Sequence, residues 1–288
     1  MNAALAGGLS ALCLGSADFA ARFAVRAWGA ANVLLGVFAT SFVLLSAWAL
    51  ANGIAIPAHG PGLAYAAANG LATAAMTVLL YLSLARGPIA VAAPIVASHP
   101  AFVALLWVAL GEAPSLIEWS GMAATVAGVI VVARAADGTH VPGGLKPTVL
   151  LAGGACAAYV ALVMGGQLAA QHQGAFEALW LGRGFSLAAT VIVLVPLSRR
   201  LGLGPAPAIP ARAWLPLAGM GVLDAGGYLL LFAGSTGGDP AIAAVTGSAF
   251  GAVTVLLARV VLKEKMSVMQ WFGIALVTTG VAVLAANG

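Results

Sequence analysis

The sequence carries few ionisable side chains inside its long apolar stretches, and these are the groups that could do chemistry. His99 lies in the stretch VAAPIVASHPAFVALL, flanked by Pro94 and Pro100, and Asp224 lies in the middle of another apolar stretch. An ionisable group at the centre of a lipid bilayer costs about 2.5–3.5 kcal/mol or more, so it usually faces a cavity or a partner. If these stretches cross a membrane, we predict that His99 and Asp224 line a polar cavity at mid-depth.

The same residues also have structural interpretations, which the sequence leaves open. His99 could hydrogen-bond to a neighbouring helix, and Asp224 could accept hydrogen bonds from hydroxyl or backbone groups. Arg183 also lies inside an apolar stretch. It could attract the carboxylate of a substrate, or it could pair with Glu177 or Asp224.

Aromatic, sulfur-containing and hydroxyl side chains in the apolar stretches are candidates for the walls of such a cavity, because they offer polarisable surface. The candidates are Met76, Tyr81, Tyr159, Tyr228 and Ser248. Proline removes a backbone hydrogen bond from a helix, and glycine loosens one. We therefore predict helix bending at four positions, which are Pro94, Pro100, Gly247 and Gly251.

The composition determines the class of protein. Of the 288 residues, 62% are hydrophobic and 7% are charged, whereas soluble proteins carry about 25% charged residues. Apolar runs recur that are each long enough to cross about 30 Å of hydrocarbon as a helix. The sequence therefore predicts an all-α polytopic membrane protein surrounded by the lipid bilayer. The ten predicted spans are 3–23, 31–52, 62–85, 88–111, 115–133, 147–169, 176–197, 212–234, 239–262 and 267–286.

Several functional classes lack their signature in this sequence. The net charge of +4 comes from basic residues scattered between apolar spans, which does not favour nucleic acid as a partner. No Gly-x4-Gly-Lys-Ser/Thr loop is present, so we expect no direct use of ATP. Cys13 and Cys156 lack metal-ligand spacing, so neither a metal nor a cofactor is expected. Asp239 lies at a span boundary and Asp224 at mid-depth, so the two carboxylates are not expected to share a proton. This argues against an intramembrane aspartyl protease, and we expect no enzyme activity.

The two halves of the chain resemble each other. A shift of 152 positions aligns six identical residues, which are Pro88 with Pro240, Glu112 with Glu264, Ser115 with Ser267, Trp119 with Trp271, Gly121 with Gly273 and Gly128 with Gly280. The polar connection RAADGTHVPGGLK over 134–146 separates them, so we place the units at 1–146 and 147–288. Because five is odd, the second unit enters the membrane inverted. Inverted repeats are typical of secondary transporters that bind substrate near the midplane.

The basic residues support this count of spans. Eleven of the twelve lie at the ends of odd-numbered spans or in the connections after them, counted to the first residue of the next span, and the twelfth is Arg183. Because loops rich in Lys and Arg face the cytoplasm, we predict that these loops are cytoplasmic and that both termini are extracytoplasmic. Asp18 precedes Arg22 by four residues near the predicted cytoplasmic end of span 1, a spacing typical of an ion pair on one helix.

Several motifs resemble the ten-helix, EamA-type members of the drug/metabolite transporter superfamily, and they are most similar to the YddG-like bacterial exporters of amino acids. The motifs are LGSADFAARF at the end of span 1, LWLGRGFSLAA with Arg183, and the paired turns GEAPSLIEWSG and KEKMSVMQWFG. Two positions depart from the pattern. Leu14 stands where the family often has Trp, and Val37 stands where repeat symmetry with Arg183 predicts an arginine.

The resemblance implies a central cavity lined mainly by helices 1–4 and 6–9, with helices 5 and 10 at the periphery, in a bacterial inner membrane. It also implies export of amino acids, including aromatic ones, and of related small metabolites by alternating access. The alternatives are a multidrug or organic-cation exporter of the same superfamily, for which Asp224 would be the carboxylate, and an intramembrane protease.

Overall fold

The computed structural model describes residues 2–55, 60–86, 95–96, 98–134, 146–197, 200, 209–261 and 267–287. Ten helices are found over these residues. They are α1 (Ala3–Trp28), α2 (Ala30–Ala51), α3 (Pro61–Arg86), α4 (His99–Ala109), α5 (Leu116–Arg134), α6 (Lys146–Gln173), α7 (Ala175–Leu197), α8 (Trp214–Gly237), α9 (Pro240–Gly247 and Phe250–Val261) and α10 (Val268–Asn287). A π-helical turn at Thr190–Leu194 interrupts α7. The predicted connection over 134–146 lies largely outside the described residues.

Seven of the described helices are long and apolar enough to cross a membrane, namely α1, α2, α3, α6, α7, α8 and α10. The described apolar segments of α4, α5 and α9 are shorter. The prediction of an all-helical, multi-span membrane protein with ten helices is confirmed. One predicted boundary is wrong. α1 continues to Trp28 instead of ending near residue 23, so Asp18 lies further from the end of the helix than the sequence predicted.

The starts of α5 and α10 show why these helices begin where they do. The backbone N–H of Ser115 donates to Glu118 Oε2 at 2.6 Å, and the N–H of Glu118 donates to Ser115 Oγ at 3.3 Å. This reciprocal capping box satisfies two N–H groups that the helix itself leaves unpaired. Ser267 and Gln270 form the same pair of bonds, at 2.8 and 3.2 Å. The equivalent turns of the two halves are therefore capped alike.

A single glycine joins α1 to α2, and a single glycine joins α6 to α7. Gly29 has φ 80° and ψ 150°, and Gly174 has φ 96° and ψ 155°. This combination of a positive φ with an extended ψ is open essentially to glycine alone, because a Cβ atom would clash with the backbone. Each of the two hairpins therefore turns within a single residue, and the backbone conformation at that residue is restricted.

The helices pack through small residues. α1 packs against α8 and α9, α6 packs against α3 and α4, and α2 lies against α7 and α8. α5 and α10 pack mainly on each other, where a Cβ atom added to Gly128 would lie 2.6 Å from the carbonyl oxygen of Gly273. Because lipid tails are as apolar as leucine, association between such helices depends on this close van der Waals contact.

Candidate functional site

Arg183 of α7 and Asp224 of α8 form an ion pair inside the helix bundle. Nη2 of Arg183 donates to Oδ2 of Asp224. The side chain of Arg183 is 4% exposed and that of Asp224 is 21% exposed. Of the partners that the sequence left open for Arg183, the structure therefore selects Asp224 over Glu177. A buried charge needs such a partner, since an isolated one would be costly to hold in a medium of low dielectric constant.

Aromatic rings cover the guanidinium of Arg183. Its central carbon lies 5.3 Å from the ring centroid of Phe38 on α2 and 5.0 Å from that of Tyr228 on α8. These distances fit cation–π contacts, which gain strength where water is excluded. Phe38 was not predicted from the sequence, although it directly follows Val37, the position that repeat symmetry pairs with Arg183.

Small residues allow the three helices to meet at this point. A Cβ atom on Gly221 of α8 would lie 3.1 Å from the carbonyl oxygen of Val37 on α2, and Ser41 Oγ donates to the carbonyl oxygen of Gly221 at 3.0 Å. On the other side of α7, Ser186 Oγ donates to the carbonyl oxygen of Gly70 on α3 at 3.3 Å. Close backbone approach between α2 and α8 and between α3 and α7 therefore brings Phe38, Arg183 and Asp224 together.

A row of rings continues from this pair towards α4. The phenol groups of Tyr159 on α6 and Tyr228 on α8 interact electrostatically with each other. His99 stacks on Tyr159 with ring centroids 3.8 Å apart and an interplanar angle of 6°. Nδ1 of His99 lies 3.0 Å from the carbonyl oxygen of Val96. Four predicted candidates, His99, Tyr159, Tyr228 and Arg183, thus form one continuous contact chain that ends at Asp224.

His99 itself is buried, at 4% exposure. The ring contacts the neighbouring helix α6 through Tyr159 and its own preceding turn through Val96. Pro100 lies in the first turn of α4, where a helix does not need the missing N–H. Bending at Pro100 stays a prediction.

Asp18 of α1 also belongs to this region, although the sequence did not predict it. Its carboxylate interacts electrostatically with that of Asp224 and with Tyr159 and Tyr228. Its side chain is exposed, whereas Leu14 and Ala17 on the same part of α1 are buried. Because α1 ends at Trp28, Asp18 lies ten residues from the helix end, about 15 Å along the axis. The side chain of Arg22 lies outside the described residues, so the Asp18–Arg22 pair stays a prediction.

The remaining candidates fall into three groups. Met76 is half-buried against the same apolar core as Tyr228. Ser248 is buried, and its hydroxyl donates to the carbonyl oxygen of Val245 at 2.6 Å, within its own helix. Pro94 and the side chain of Tyr81 lie outside the described residues.

α9 is broken at the predicted bending region. Its two helical segments end at Gly247 and begin again at Phe250. A Cβ atom on Gly247 would lie 3.0 Å from Leu231 of α8, whereas nothing lies within 4 Å of the Cβ position of Gly251. Gly247 is therefore a packing position at the break, and Gly251 lies beside open space.

Over the described part of the chain, no group of three or more His, Cys, Asp or Glu side chains could hold a metal ion. Cys13 and Cys156 are free thiols. Sγ of Cys156 lies 3.8 Å from Ser98 Oγ, a contact that suits a packing residue.

Comparison with known proteins gives three findings. The family model described as the EamA-like transporter family matches residues 1–134 and 146–286. An uncharacterized transporter of Synechocystis sp. is 27% identical over 248 residues, which cover 82% of this chain and 71% of that protein. A solved crystal structure superposes with a TM-score of 0.79 at 20% identity, over 98% of this chain and 95% of that one. At 20% identity, the similarity to this crystal structure shows a shared fold and nothing more.

Proposed function

Since the chain belongs to the EamA-like transporter family, we propose that it exports amino acids, including aromatic ones, and related small metabolites by alternating access. It is a multi-pass membrane transporter and not an enzyme. The observation that carries the proposed substrate is the buried Arg183–Asp224 pair with two aromatic rings, Phe38 and Tyr228, in contact with the guanidinium. A zwitterionic amino acid needs charges of both signs, and an aromatic side chain needs ring surface. One cluster offers both.

The packing of the helices supports two inverted halves. Gly234 and Gly227 of α8 contact Ala6 and Leu14 of α1, so α1 and α8 are antiparallel. In the same way, Gly165 and Gly154 of α6 contact Tyr65 and Leu79 of α3. Each pair joins the first helix of one half to the third helix of the other.

Three further correspondences agree with the same division of the chain. The glycine turns at residues 29 and 174 and the capping boxes at residues 115 and 267 occupy equivalent places in the two halves. The family model also matches two stretches, 1–134 and 146–286. Two equivalent halves in opposite orientation are the architecture in which one half rocks against the other around a central site.

The closure of one face supports alternating access. Gln167 of α6 is fully buried, accepts a hydrogen bond from Trp107 Nε1 of α4 at 2.8 Å, and donates one to the carbonyl oxygen of Pro240 of α9 at 2.8 Å. Trp107 lies near the end of α4 and Pro240 begins α9, so these bonds join the protein next to two even-numbered connections. These connections carry no basic residue, so we assign the closed face to the extracytoplasmic side.

The experiment is counterflow in proteoliposomes. Vesicles loaded with unlabelled L-phenylalanine should accumulate labelled L-phenylalanine, and Asp224→Asn should reduce this exchange because it removes the acidic member of the pair. The second candidate function is organic-cation export, favoured by the second carboxylate, Asp18, near Asp224. Amino-acid exchange that survives Asp224→Asn while efflux of a cationic dye is lost would assign the protein to cations.

A further inference from the structure

The described side chains of the central cluster include two carboxylates, Asp18 and Asp224, and one guanidinium, Arg183. Asp18 and Asp224 interact with each other, and Arg183 contacts Asp224. Among the described side chains of this cluster, two carboxylates thus share one guanidinium. Arg22, four residues beyond Asp18, has its side chain outside the described part of the chain and lies one turn nearer the end of α1. A ligand that brings one positive group would improve the balance at mid-depth, where an uncompensated charge is costly.

The side chain of Asp18 is accessible to such a ligand, whereas neighbouring residues on α1 are buried. Leu14 and Ala17, on the same part of α1, are 7% and 6% exposed, but Asp18 is exposed. Leu14 packs against Gly227 of α8. Because the two helices are antiparallel, the residue one turn further along α1 faces the region of Asp224. The exposed side chain of Asp18 therefore lies on the part of α1 that faces the ion pair.

Arg183 supplies a second and independent sign of a ligand. Its residue is 3% exposed, and Nε has no hydrogen-bond acceptor among the described residues. Native structures pair nearly all buried N–H groups, because a buried donor without an acceptor costs free energy. Nη2 already donates to Asp224, and Nε is a buried N–H that an added carboxylate would satisfy.

We propose that Asp18 binds the ammonium group of a zwitterionic substrate whose carboxylate binds Arg183, with Asp224 linking the two residues. This inference rests on the proposed function and adds Asp18 as the residue that recognises the amine. Asp224, which touches Arg183, holds the guanidinium in place, and Asp18 discriminates between substrates with and without a positive group.

Three related compounds carry the ammonium and the carboxylate either together or one at a time. L-Phenylalanine carries both groups, 2-phenylethylamine carries only the ammonium, and 3-phenylpropionate carries only the carboxylate. Counterflow with the wild-type protein should favour L-phenylalanine over 3-phenylpropionate. Loss of a hydrogen bond between charged groups in Asp18→Asn should raise the half-saturating concentration of L-phenylalanine about 10- to 100-fold. The same substitution should leave that of 3-phenylpropionate unchanged.

The matched control is Glu118→Gln. It also removes one negative charge, but at the start of the peripheral α5, where a glutamine can make the capping bond that Gln270 makes in α10. Glu118→Gln should therefore exchange L-phenylalanine like the wild type. Asp18→Glu, which keeps the charge, should restore most of the preference for the amine.

A measurement on the unaltered protein makes the test independent of how well the variants fold. A carbodiimide with a nucleophile should modify the exposed Asp18, as read by mass spectrometry of the peptide. The protecting compounds must not react with the carbodiimide, so we use N,N-dimethyl-2-phenylethylamine, which is positively charged but forms no amide, and the neutral 3-phenylpropanamide. The charged amine should slow this modification, and the neutral amide should not. Equal protection by both, protection by neither, or an unchanged preference for the amine in a folded Asp18→Asn variant would overturn the assignment of Asp18. Absence of any amino-acid exchange by the wild type would instead overturn the proposed function.

Discussion

Gly128 offers a direct test of how the peripheral helices are held. In Gly128→Ala, the added Cβ atom would lie 2.6 Å from the carbonyl oxygen of Gly273 and 2.7 Å from the backbone nitrogen of Val277, whereas ordinary contacts lie at 3.4–4 Å. Because both obstacles are backbone atoms, a side-chain rotation cannot relieve them. α5 and α10 must separate by about 0.8 Å at this crossing, the difference between 2.6 and 3.4 Å.

The cost can be worked out from this geometry. Overpacking a tight contact destabilises a protein by about 1–3 kcal/mol, and replacing a helical glycine by alanine returns up to about 1 kcal/mol. With the full gain, the net loss in the free energy of unfolding should be about 0–2 kcal/mol, and the loss relative to a variant that gains the helix propensity alone should be about 1–3 kcal/mol. Gly153→Ala in α6 is the control, since nothing lies within 4 Å of its Cβ position. This substitution gains the helix propensity without the clash.

The assay is thermal unfolding of both variants in the same detergent, followed by tryptophan fluorescence. Gly128→Ala should melt below the wild type, and Gly153→Ala should melt at or slightly above it. Since α5 and α10 pack mainly on each other, the half-saturating concentration for exchange should stay unchanged in both. If Gly128→Ala melted as high as Gly153→Ala, the close crossing of α5 and α10 would be refuted.

Two further predictions concern the central pair and the orientation. Arg183→Lys keeps the positive charge but loses the planar guanidinium that contacts the rings of Phe38 and Tyr228, so exchange of L-phenylalanine should fall at least about tenfold in counterflow. Wild-type activity would show that the planar group is not needed. Ala55→Cys, in the loop after α2, should react with a membrane-impermeant maleimide on intact cells, whereas Lys146→Cys should react only after permeabilisation. The reverse pattern would invert the proposed orientation.

The sequence predicted the fold better than it predicted the site. Hydropathy and the position of basic residues depend on composition over about 20 residues, so the ten helices could be counted without any knowledge of their contacts. The end of α1 was placed wrongly, because the segment after Phe23 carries Arg26 and reads as a loop although it is helical. This error placed Asp18 near a surface and hid it from the candidate list.

The partners of individual side chains depend on packing that the sequence does not display. Arg183 had three possible partners until helices α7 and α8 were seen side by side. His99 was expected to face the cavity, and its stacking on Tyr159 depends on the parallel approach of α4 and α6. Phe38 carried no signal beyond being apolar, since its role depends on the close approach of α2 to α8 at Gly221.

The two single-glycine turns have a mechanical consequence. α1 and α6 run in opposite directions, so Gly29 and Gly174 lie on opposite faces of the bundle. A hairpin that is pinned tightly at its turn can part only at its free ends. Parting of α1 from α2 therefore widens the face opposite Gly29, and parting of α6 from α7 widens the face opposite Gly174. Each face of the bundle is therefore widened by the separation of one helix hairpin, and the glycine turn of that hairpin lies at the opposite face.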